Sequence, residues 1–304
     1  MRYRSDAMLE PDVPHAPLPL AEAQARADRL LDQADELPTL PDIPARALAL
    51  MDQEDVSLPE VGDVVALDPV LSARVVRMAN SPVFAARGQI ESIGAAVVRL
   101  GARELRALLL TVSVVEALKP ESSGLDLREI WRHTIASGVL GRRLARDLGE
   151  PEPDRAYLAG LLHALGDVIL AVCFPDRFKS ALTRADADAS PLDTEFGVSP
   201  ALCCATLLRH WNIPASIVEA VAFQGAPERA PTHERLARIV ATASCACRAF
   251  GLYPAPPTQP PRDWRAELPT DLLAEAYGDD PDHYLSTLET LIESLNEILT
   301  ILVP

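Results

Sequence analysis

Basic residues are scarce in this sequence, and they never form a run. The 304 residues include 28 Lys and Arg against 44 Asp and Glu, which gives a net charge of -16 at pH 7. A surface of that sign repels phosphate backbones and anionic lipid head groups at long range, and no Lys/Arg-rich stretch provides a local exception. The composition therefore argues against nucleic acid and against a membrane as partners.

Signals for export, for disulfides and for common catalytic loops are missing as well. The N-terminal residues MRYRSDAMLEPDVPHAP contain no continuous apolar core of a signal peptide, and no apolar run is long enough to span a bilayer. The five cysteines form no Cys-x-x-Cys pair and lie in apolar helical stretches, as reduced and buried thiols do. No Gly-rich phosphate loop, GxSxG elbow or kinase signature is present. We therefore expect a cytoplasmic protein.

Signals for β-structure are also missing, whereas those for helices are frequent. No Asn-Gly or Asp-Gly turn stands between alternating apolar residues. Ser57 and Glu60 form the pattern of a capping box, and Asp68 followed by Pro69 marks another helix start. Ser92 is the predicted cap of the next helix. The patterns predict an all-α fold, with further helices at 92–100, 102–118, 126–147, 154–171, 175–187, 200–210, 214–223 and 232–250.

Two breaks divide this helical sequence. Residues 119–124, KPESSG, are polar and contain Pro and Gly, and residues 254–261, PAPPTQPP, hold too much proline for a helix. The predicted organisation is a flexible tail at 1–20, a module at 21–250 and a Pro-rich linker with a C-terminal helix at 251–304. Within the module, we predict helical halves at 21–118 and 125–250.

The C-terminal helix carries leucine and isoleucine at alternating steps of three and four residues over 285–302. This spacing is typical of a coiled-coil seam, although the seam is under three heptads long. Because short isolated coils are marginally stable, the pattern favours a terminal helix that packs on its own domain. A homodimer formed through the same residues stays open as the alternative.

Several longer stretches follow one another in a characteristic order. They are LPTLPDIPARAL, DPVLSARVVRMANSPVF, IESIGAAVVRLGARELRALLL, IWRHTIASGVLGRRLA, AYLAGLLHALGDVILAVCFPDRF and LLRHWNIPASIVEAV. In these stretches, which fall within a region of roughly seventy per cent of the chain, the sequence resembles the HDOD family, a group of bacterial signalling domains related to the HD phosphohydrolases. The resemblance implies an N-terminal helical bundle packed on an HD-like bundle, and a regulatory role.

The resemblance also identifies motif positions to which we assign structural roles. These positions are Asp68, Pro69, Arg74, Asn80, Ser81, Trp131, Gly160 and Gly166. For Arg74 we expect a solvated helix face and a local ion pair.

Hydrolases of the HD type hold metal through an early His, an adjacent His-Asp pair and a distant Asp. The resemblance places His133 and His163 at the two histidine positions, whereas Ala164 stands in place of the paired aspartate and Ser244 stands near the distant one. Two neutral imidazoles without a carboxylate are too few ligands for a hydrolytic metal ion. The sequence thus predicts a vestigial site, with no metal and no other cofactor.

Asp167 leaves two interpretations of this site open. It follows His163 by four residues, so on a continuous helix the two side chains would share a face. Asp167 either replaces the missing ligand or hydrogen-bonds to His163 and sets its tautomer. We favour the hydrogen bond, because buried polar groups need partners whatever the function. Trp211, beside His210, is interpreted as core packing and not as a platform for a ligand.

Two functions from different classes follow. The favoured one is a non-catalytic signal-transduction module that acts by binding another protein in a bacterial signalling pathway. The alternative is a divergent metal-dependent phosphohydrolase or phosphodiesterase in which His133, His163 and Asp167 hold the metal. A third possibility is that the cleft of the vestigial site binds a nucleotide without turnover.

Overall fold

The computed structural model describes residues 20–34, 37–53, 55–81, 84, 89–118, 125–183, 191–252, 263–295 and 299. The described residues contain helices and no β-strand, which confirms the all-α prediction. Residues 1–19 of the predicted tail, and the whole of the predicted breaks at 119–124 and 254–261, lie outside the described residues.

Fifteen α-helices follow one another along these ranges. The first half of the chain contains α1 (Leu20–Leu31), α2 (Asp42–Met51), α3 (Leu58–Val65), α4 (Pro69–Ala79) and α5 (Ile93–Ala117). The second half contains α6 (Leu127–Asp147), α7 (Pro153–Leu162), α8 (Gly166–Cys173), α9 (Pro175–Thr183), α10 (Pro191–Phe196), α11 (Pro200–His210), α12 (Ala215–Phe223) and α13 (Glu234–Ala249). The C-terminal segment adds α14 (Thr270–Tyr277) and α15 (Pro281–Ser294). Among the described helices none alone is long and apolar enough to cross a bilayer, and α7 with α8 reach that length and composition as a bent pair.

The predicted starts of α3 and α4 are confirmed. Ser57 and Glu60 form the capping box, in which the N–H of Ser57 donates to the Glu60 carboxylate at 3.1 Å. The Asp68 carboxylate accepts hydrogen bonds from two N–H groups of the first turn of α4, and Pro69 occupies the first helical position. Both starts therefore satisfy backbone donors that have no partner within the helix.

Other motif residues connect α4 to α5. The Asn80 side chain exchanges two hydrogen bonds of 2.8 Å with the backbone of Ile90, and the adjacent Ser81 is buried. The expectation for Arg74 is wrong, because its side chain is only 15% exposed and pairs with Glu116 on α5 at 3.7 Å. Its ion pair is thus a contact between two helices and not a local pair on a solvated face.

A sharp kink divides α5 at Gly101. This residue adopts φ 76° and ψ 167°, a conformation that residues with a side chain rarely adopt. The predicted helices at 92–100 and 102–118 are confirmed as the two arms of α5. Val97 on the first arm packs against Gly62 of α3, and Thr111 on the second arm reaches α7.

The prediction of one helix at 154–171 is wrong. The chain forms α7 and α8 instead, with the break at residues 163–165 and an angle of 41° between the two helices. The break brings Gly166 against α11, where a Cβ built on Gly166 would lie 2.2 Å from the carbonyl oxygen of Pro200. His163 and Asp167 consequently lie on opposite sides of a bend and do not share one helix face.

The two halves share a packed interface, so the implied packing of one bundle on another is confirmed. The hydroxyls of Thr111 on α5 and Tyr157 on α7 form a hydrogen bond of 2.8 Å. Arg142 on α6 donates two hydrogen bonds of 3.1 Å to Glu104 on α5, and its guanidinium lies 5.0 Å from the centre of the Tyr157 ring. The motif residue Trp131 is buried in the core that continues through both halves. Polar pairs within an apolar contact therefore align the halves.

The contacts of α1 connect it to the second half, although the sequence analysis grouped it with the first. α1 packs on α11, and Asp28 pairs there with Arg209 and accepts a hydrogen bond of 3.1 Å from Thr206. Ala27 and Leu30 complete an apolar cluster with residues of α8, α9, α10 and α11.

The predicted seam at 285–302 is used inside the chain. Leu288, Ile292, Leu295 and Leu299 are buried, and α15 packs on α14 and α6. The homodimer stays a prediction, but these four side chains are already covered within one chain. Leu302 lies outside the described residues.

The backbones of α6 and α7 cross at a distance that leaves no room for a side chain between them. A Cβ built on Gly160 of α7 would lie 2.7 Å from the carbonyl oxygen of Ser137 and 2.8 Å from Cα of Gly138 on α6. A Cβ on Gly138 would in turn lie 2.8 Å from the carbonyl oxygen of Tyr157. The two backbones therefore touch, and glycine is required on both sides of the contact.

We expect Gly160→Ala to lower the free energy of unfolding by about 1–3 kcal/mol or more, because backbone atoms block the added methyl group. Urea unfolding followed by circular dichroism measures this. Gly94→Ala is the matched control, since a Cβ there meets no atom within 4 Å and alanine favours the helix. Equal stability of the two variants would contradict the close crossing.

Candidate functional site

The two histidines of the predicted site meet in the core. His133 comes from the middle of α6, and His163 follows the last residue of α7. Their Nε2 atoms are 3.2 Å apart, their ring centres are 5.1 Å apart, and both side chains are buried. The crossing at Gly138 and Gly160 sets this distance, because each glycine lies within five residues of one of the histidines.

Backbone carbonyls determine which ring nitrogens carry protons. Nδ1 of His133 lies 2.7 Å from the carbonyl oxygen of Leu252, and Nδ1 of His163 lies 2.7 Å from that of Gly160. A carbonyl only accepts, so both Nδ1 atoms donate, and in neutral imidazoles both Nε2 atoms present lone pairs. Ser244 Oγ lies 2.9 Å from His163 Nε2 and 3.3 Å from His133 Nε2. The single hydroxyl proton of Ser244 can be donated to only one of the two Nε2 atoms at a time.

Both imidazoles are neutral near pH 7. Burial and, to a smaller extent, the positive charge of Arg248 lower the pKa of His163 to about 3. The pKa of His133 is also lowered well below its usual range, by burial first and then by His163 and Arg248. The site therefore resists protonation in the pH range of a cell.

Asp167 is not the partner of His163 that we favoured from the sequence. Among the described residues the His163 imidazole hydrogen-bonds to Gly160 and Ser244 and faces Nε2 of His133, and Asp167 is absent from that network. Within the described ranges no three His, Cys, Asp or Glu side chains converge to hold a metal ion. The hydrogen-bond interpretation of Asp167 is thus wrong, because the bend after α7 directs the chain elsewhere.

Asp167 instead lines a cleft of about 860 Å³ beside the histidines. Burial and the neighbouring charge of Asp193 raise the pKa of Asp167 to about 6, against the opposing effect of Arg248. His163, Ala164 and Ser244 form the inner wall.

The C-terminal segment forms the other wall of the cleft, which the sequence analysis did not foresee. The Trp264 ring lies 4.6 Å from the Arg248 guanidinium, and Cys245 Sγ lies 3.5 Å from the Trp264 carbonyl oxygen. Arg248 follows Ser244 by one helical turn of α13, so the spacing in the sequence could have placed Arg248 on the same helix face as Ser244. Trp264 follows a proline-rich stretch, and no local pattern connected it to the site.

Trp211 and the five cysteines, the remaining candidates, lie in surroundings that indicate packing roles. Trp211 donates from Nε1 to the carbonyl oxygen of Pro38 at 2.8 Å, which agrees with a packing role. The five cysteines are unpaired thiols, and burial raises the pKa of each. They therefore offer no reactive thiolate near neutral pH.

Comparison with known proteins agrees with this geometry. The family model of the HDOD domain matches residues 37–227. The chain belongs to the HDOD family. An HDOD domain protein of unknown function from Geobacter sulfurreducens is similar, with a TM-score of 0.76 and 26% identity over 93% of this chain and 98% of that one. A candidate phosphohydrolase from Shewanella amazonensis has a TM-score of 0.68 and 26% identity over 91% and 97% of the two chains.

A curated relative, an uncharacterized protein from Treponema pallidum, is 27% identical over 210 residues. The match covers 67% of this HDOD chain and 40% of that protein, so the chain spans less than half of the relative's length. Together the comparisons place this protein in the HDOD family and show its similarity to a candidate phosphohydrolase.

The hydrogen-bonded cluster makes a prediction for stability. We expect His163→Ala to lower the free energy of unfolding by about 1–3 kcal/mol, since it removes buried packing and the hydrogen bonds of the imidazole to Gly160 and Ser244. Urea unfolding measures the loss. His210→Ala is the control, because His210 lies partly exposed at the end of α11. A loss no larger than that of the control would contradict the cluster.

Asp167 makes a prediction for pH dependence. Its pKa is raised from about 4, the usual value for aspartate, to about 6, so its ionisation destabilises the folded state. That cost is absent below about pH 4 and complete above about pH 6. We therefore expect Asp167→Asn to be more stable than the parent protein at pH 7, and the advantage to vanish near pH 4, in urea unfolding at both values. Asp63→Asn, at an exposed carboxylate of α3, should show no such trend. A pH-independent advantage of Asp167→Asn would contradict the raised pKa.

Proposed function

We propose that this HDOD protein is a non-catalytic regulatory module that transmits a signal by binding another protein. The observation that carries the proposal is the composition of the cluster formed by His133, His163 and Ser244. HD hydrolases place aspartates at the positions of Ala164 and near Ser244, and here those positions supply a methyl group and a neutral hydroxyl. Such a donor set holds no negative charge to bind a divalent cation and to stabilise metal-bound hydroxide. The residues present therefore do not fit a hydrolytic metal.

Arg248 supports the same proposal. Its positive charge lowers the pKa of both His133 and His163, so the potential at the imidazoles disfavours an added proton. A divalent cation at the same place would experience the same repulsion, with twice the charge.

One observation favours the hydrolase as a second candidate. Two imidazoles that bind one tetrahedral metal at about 2.0–2.1 Å stand roughly 3.3 Å apart, and the two Nε2 atoms here are 3.2 Å apart with converging lone pairs. A hydrolase would still need an anionic ligand, and Asp167 lies outside the cluster. Nucleotide binding without turnover has less support, because the described part of the cleft wall carries six carboxylates and two arginines.

Metal content and phosphodiesterase activity distinguish these candidates. Protein purified without chelators is analysed for Fe, Mn, Zn and Ni and is assayed on bis-p-nitrophenyl phosphate with added Mn²⁺. We expect no stoichiometric metal and no turnover. We expect Ala164→Asp to remain inactive as well, since Ser244 still leaves the distant carboxylate missing.

Metal-dependent turnover in the unmodified protein, abolished by His163→Ala and by Asp167→Ala, would contradict the regulatory proposal. That result would make Asp167 the replacement ligand. Turnover that survives both substitutions would point to a contaminating hydrolase, and an assay of Gly94→Ala purified in parallel provides the reference level.

A further inference from the structure

The cleft beside the histidine cluster has the size of a ligand site. Its volume of about 860 Å³ falls within the range of small-molecule and side-chain pockets. Its walls come from the second bundle and from the C-terminal segment, which contributes Trp264. A binding site at this place needs no metal, so it is compatible with the degenerate cluster.

The charge of the cleft is strongly negative. Among the described residues six acidic side chains line it against two basic ones, an excess of four negative charges: Asp167, Asp193, Glu228, Glu234, Glu267 and Asp271 face Arg238 and Arg248. Arg238 pairs with Asp271, and Arg248 stacks on Trp264. The protein's net charge of -16 adds to this potential, and a cleft with low-dielectric walls concentrates it. A phosphate-bearing ligand would be repelled, whereas a cation would be attracted.

The inner part of the cleft also contains an oxygen without a partner. Thr242 is 1% exposed and lines the cleft, and its hydroxyl has no hydrogen-bond partner among the described residues. Asp167 lines the same cleft, and its side chain is half-buried. Buried polar groups are rarely left unsatisfied, so this hydroxyl and this carboxylate on the wall of one cleft match a ligand that carries several N–H donors.

The acidic side chains differ in solvent exposure between the inner part of the cleft and its rim. Asp167 is half-buried, whereas the other five carboxylates are exposed. One cationic group fits the inner position, and further positive charges in the same ligand would meet the rim. This distribution matches a short basic segment of a protein better than a ligand with a single charge.

We propose that this cleft binds a guanidinium or ammonium group presented by a basic segment of a partner protein, with Asp167 and Thr242 as the inner acceptors. The proposal rests on the regulatory function proposed above and deepens it, because it names the chemistry of the partner. The proposed ligand is a cation, whereas the substrate of a phosphohydrolase is a phosphate anion.

Calorimetric titration with two probes tests the proposal. The probes are an acetylated and amidated tetra-arginine peptide and free spermidine, each titrated at about 50 mM NaCl, where surface attraction is only partly screened. We expect the peptide to bind, and Asp167→Asn to weaken it by about tenfold or more, because a charge-assisted hydrogen bond is lost. Asp193→Asn, at the rim, should weaken it by a smaller factor. Asp63→Asn removes the same charge from α3, far along the chain from the cleft residues, and should change the affinity by less than about twofold.

Several outcomes would overturn the proposal. Equal effects of Asp167→Asn and Asp63→Asn would show diffuse attraction to an acidic surface. Spermidine binding that depends on Asp167, without peptide binding, would show a site for a free polyamine. Binding of Mn²⁺ that is lost in Asp167→Asn, without binding of either cationic probe, would show a metal site.

The phosphodiesterase assay on the same preparations keeps the two proposals distinguishable. Turnover would contradict the regulatory function even if the peptide binds at Asp167. Absence of peptide binding would contradict the cation site even if the assay detects no turnover.

Discussion

The crossing of α6 and α7 is the constraint on which the rest of the second bundle depends. Gly138 and Gly160 let the two backbones touch, and this contact brings His133 and His163 within hydrogen-bond distance. It also places Tyr157 and Arg142, from the same two helices, against α5 of the first half. One contact between two glycines thus aligns both the interior of the bundle and its interface. A larger residue at either position would separate the histidines and the halves together.

In the regulatory function that we propose, the histidine cluster is a catalytic arrangement that persists without its chemistry. Each imidazole is anchored through Nδ1 to a backbone carbonyl, a bond that orients the ring whether or not a metal is bound. Burial keeps both rings neutral, so no carboxylate is needed to compensate a charge. With Ala164 and Ser244 at their positions, the cluster is therefore a set of neutral polar groups with internal partners.

Local chemistry made much of the fold predictable. The capping residues Ser57, Asp68 and Ser92 and the kink at Gly101 follow from rules that concern a few neighbouring residues, and they are confirmed. The site was predicted less well. The break after Leu162 depends on the approach of α11 to Gly166, which is a tertiary contact that the continuous apolar pattern of 154–171 conceals. Arg74 was misplaced and Trp264 was missed because their contacts, with Glu116 and with Arg248, are also tertiary.

The position of α1 has a consequence for how the chain folds. Asp28 of α1 pairs with Arg209 of α11, so residues about 180 positions apart in sequence must meet before this part of the core closes. Contacts of such high sequence separation are slow to form and entropically expensive. On the ribosome, α1 would wait for most of the chain to be synthesised before it finds its place. α1 would therefore leave the ribosome well before α11, the helix on which it packs, and would be among the last of the described helices to dock.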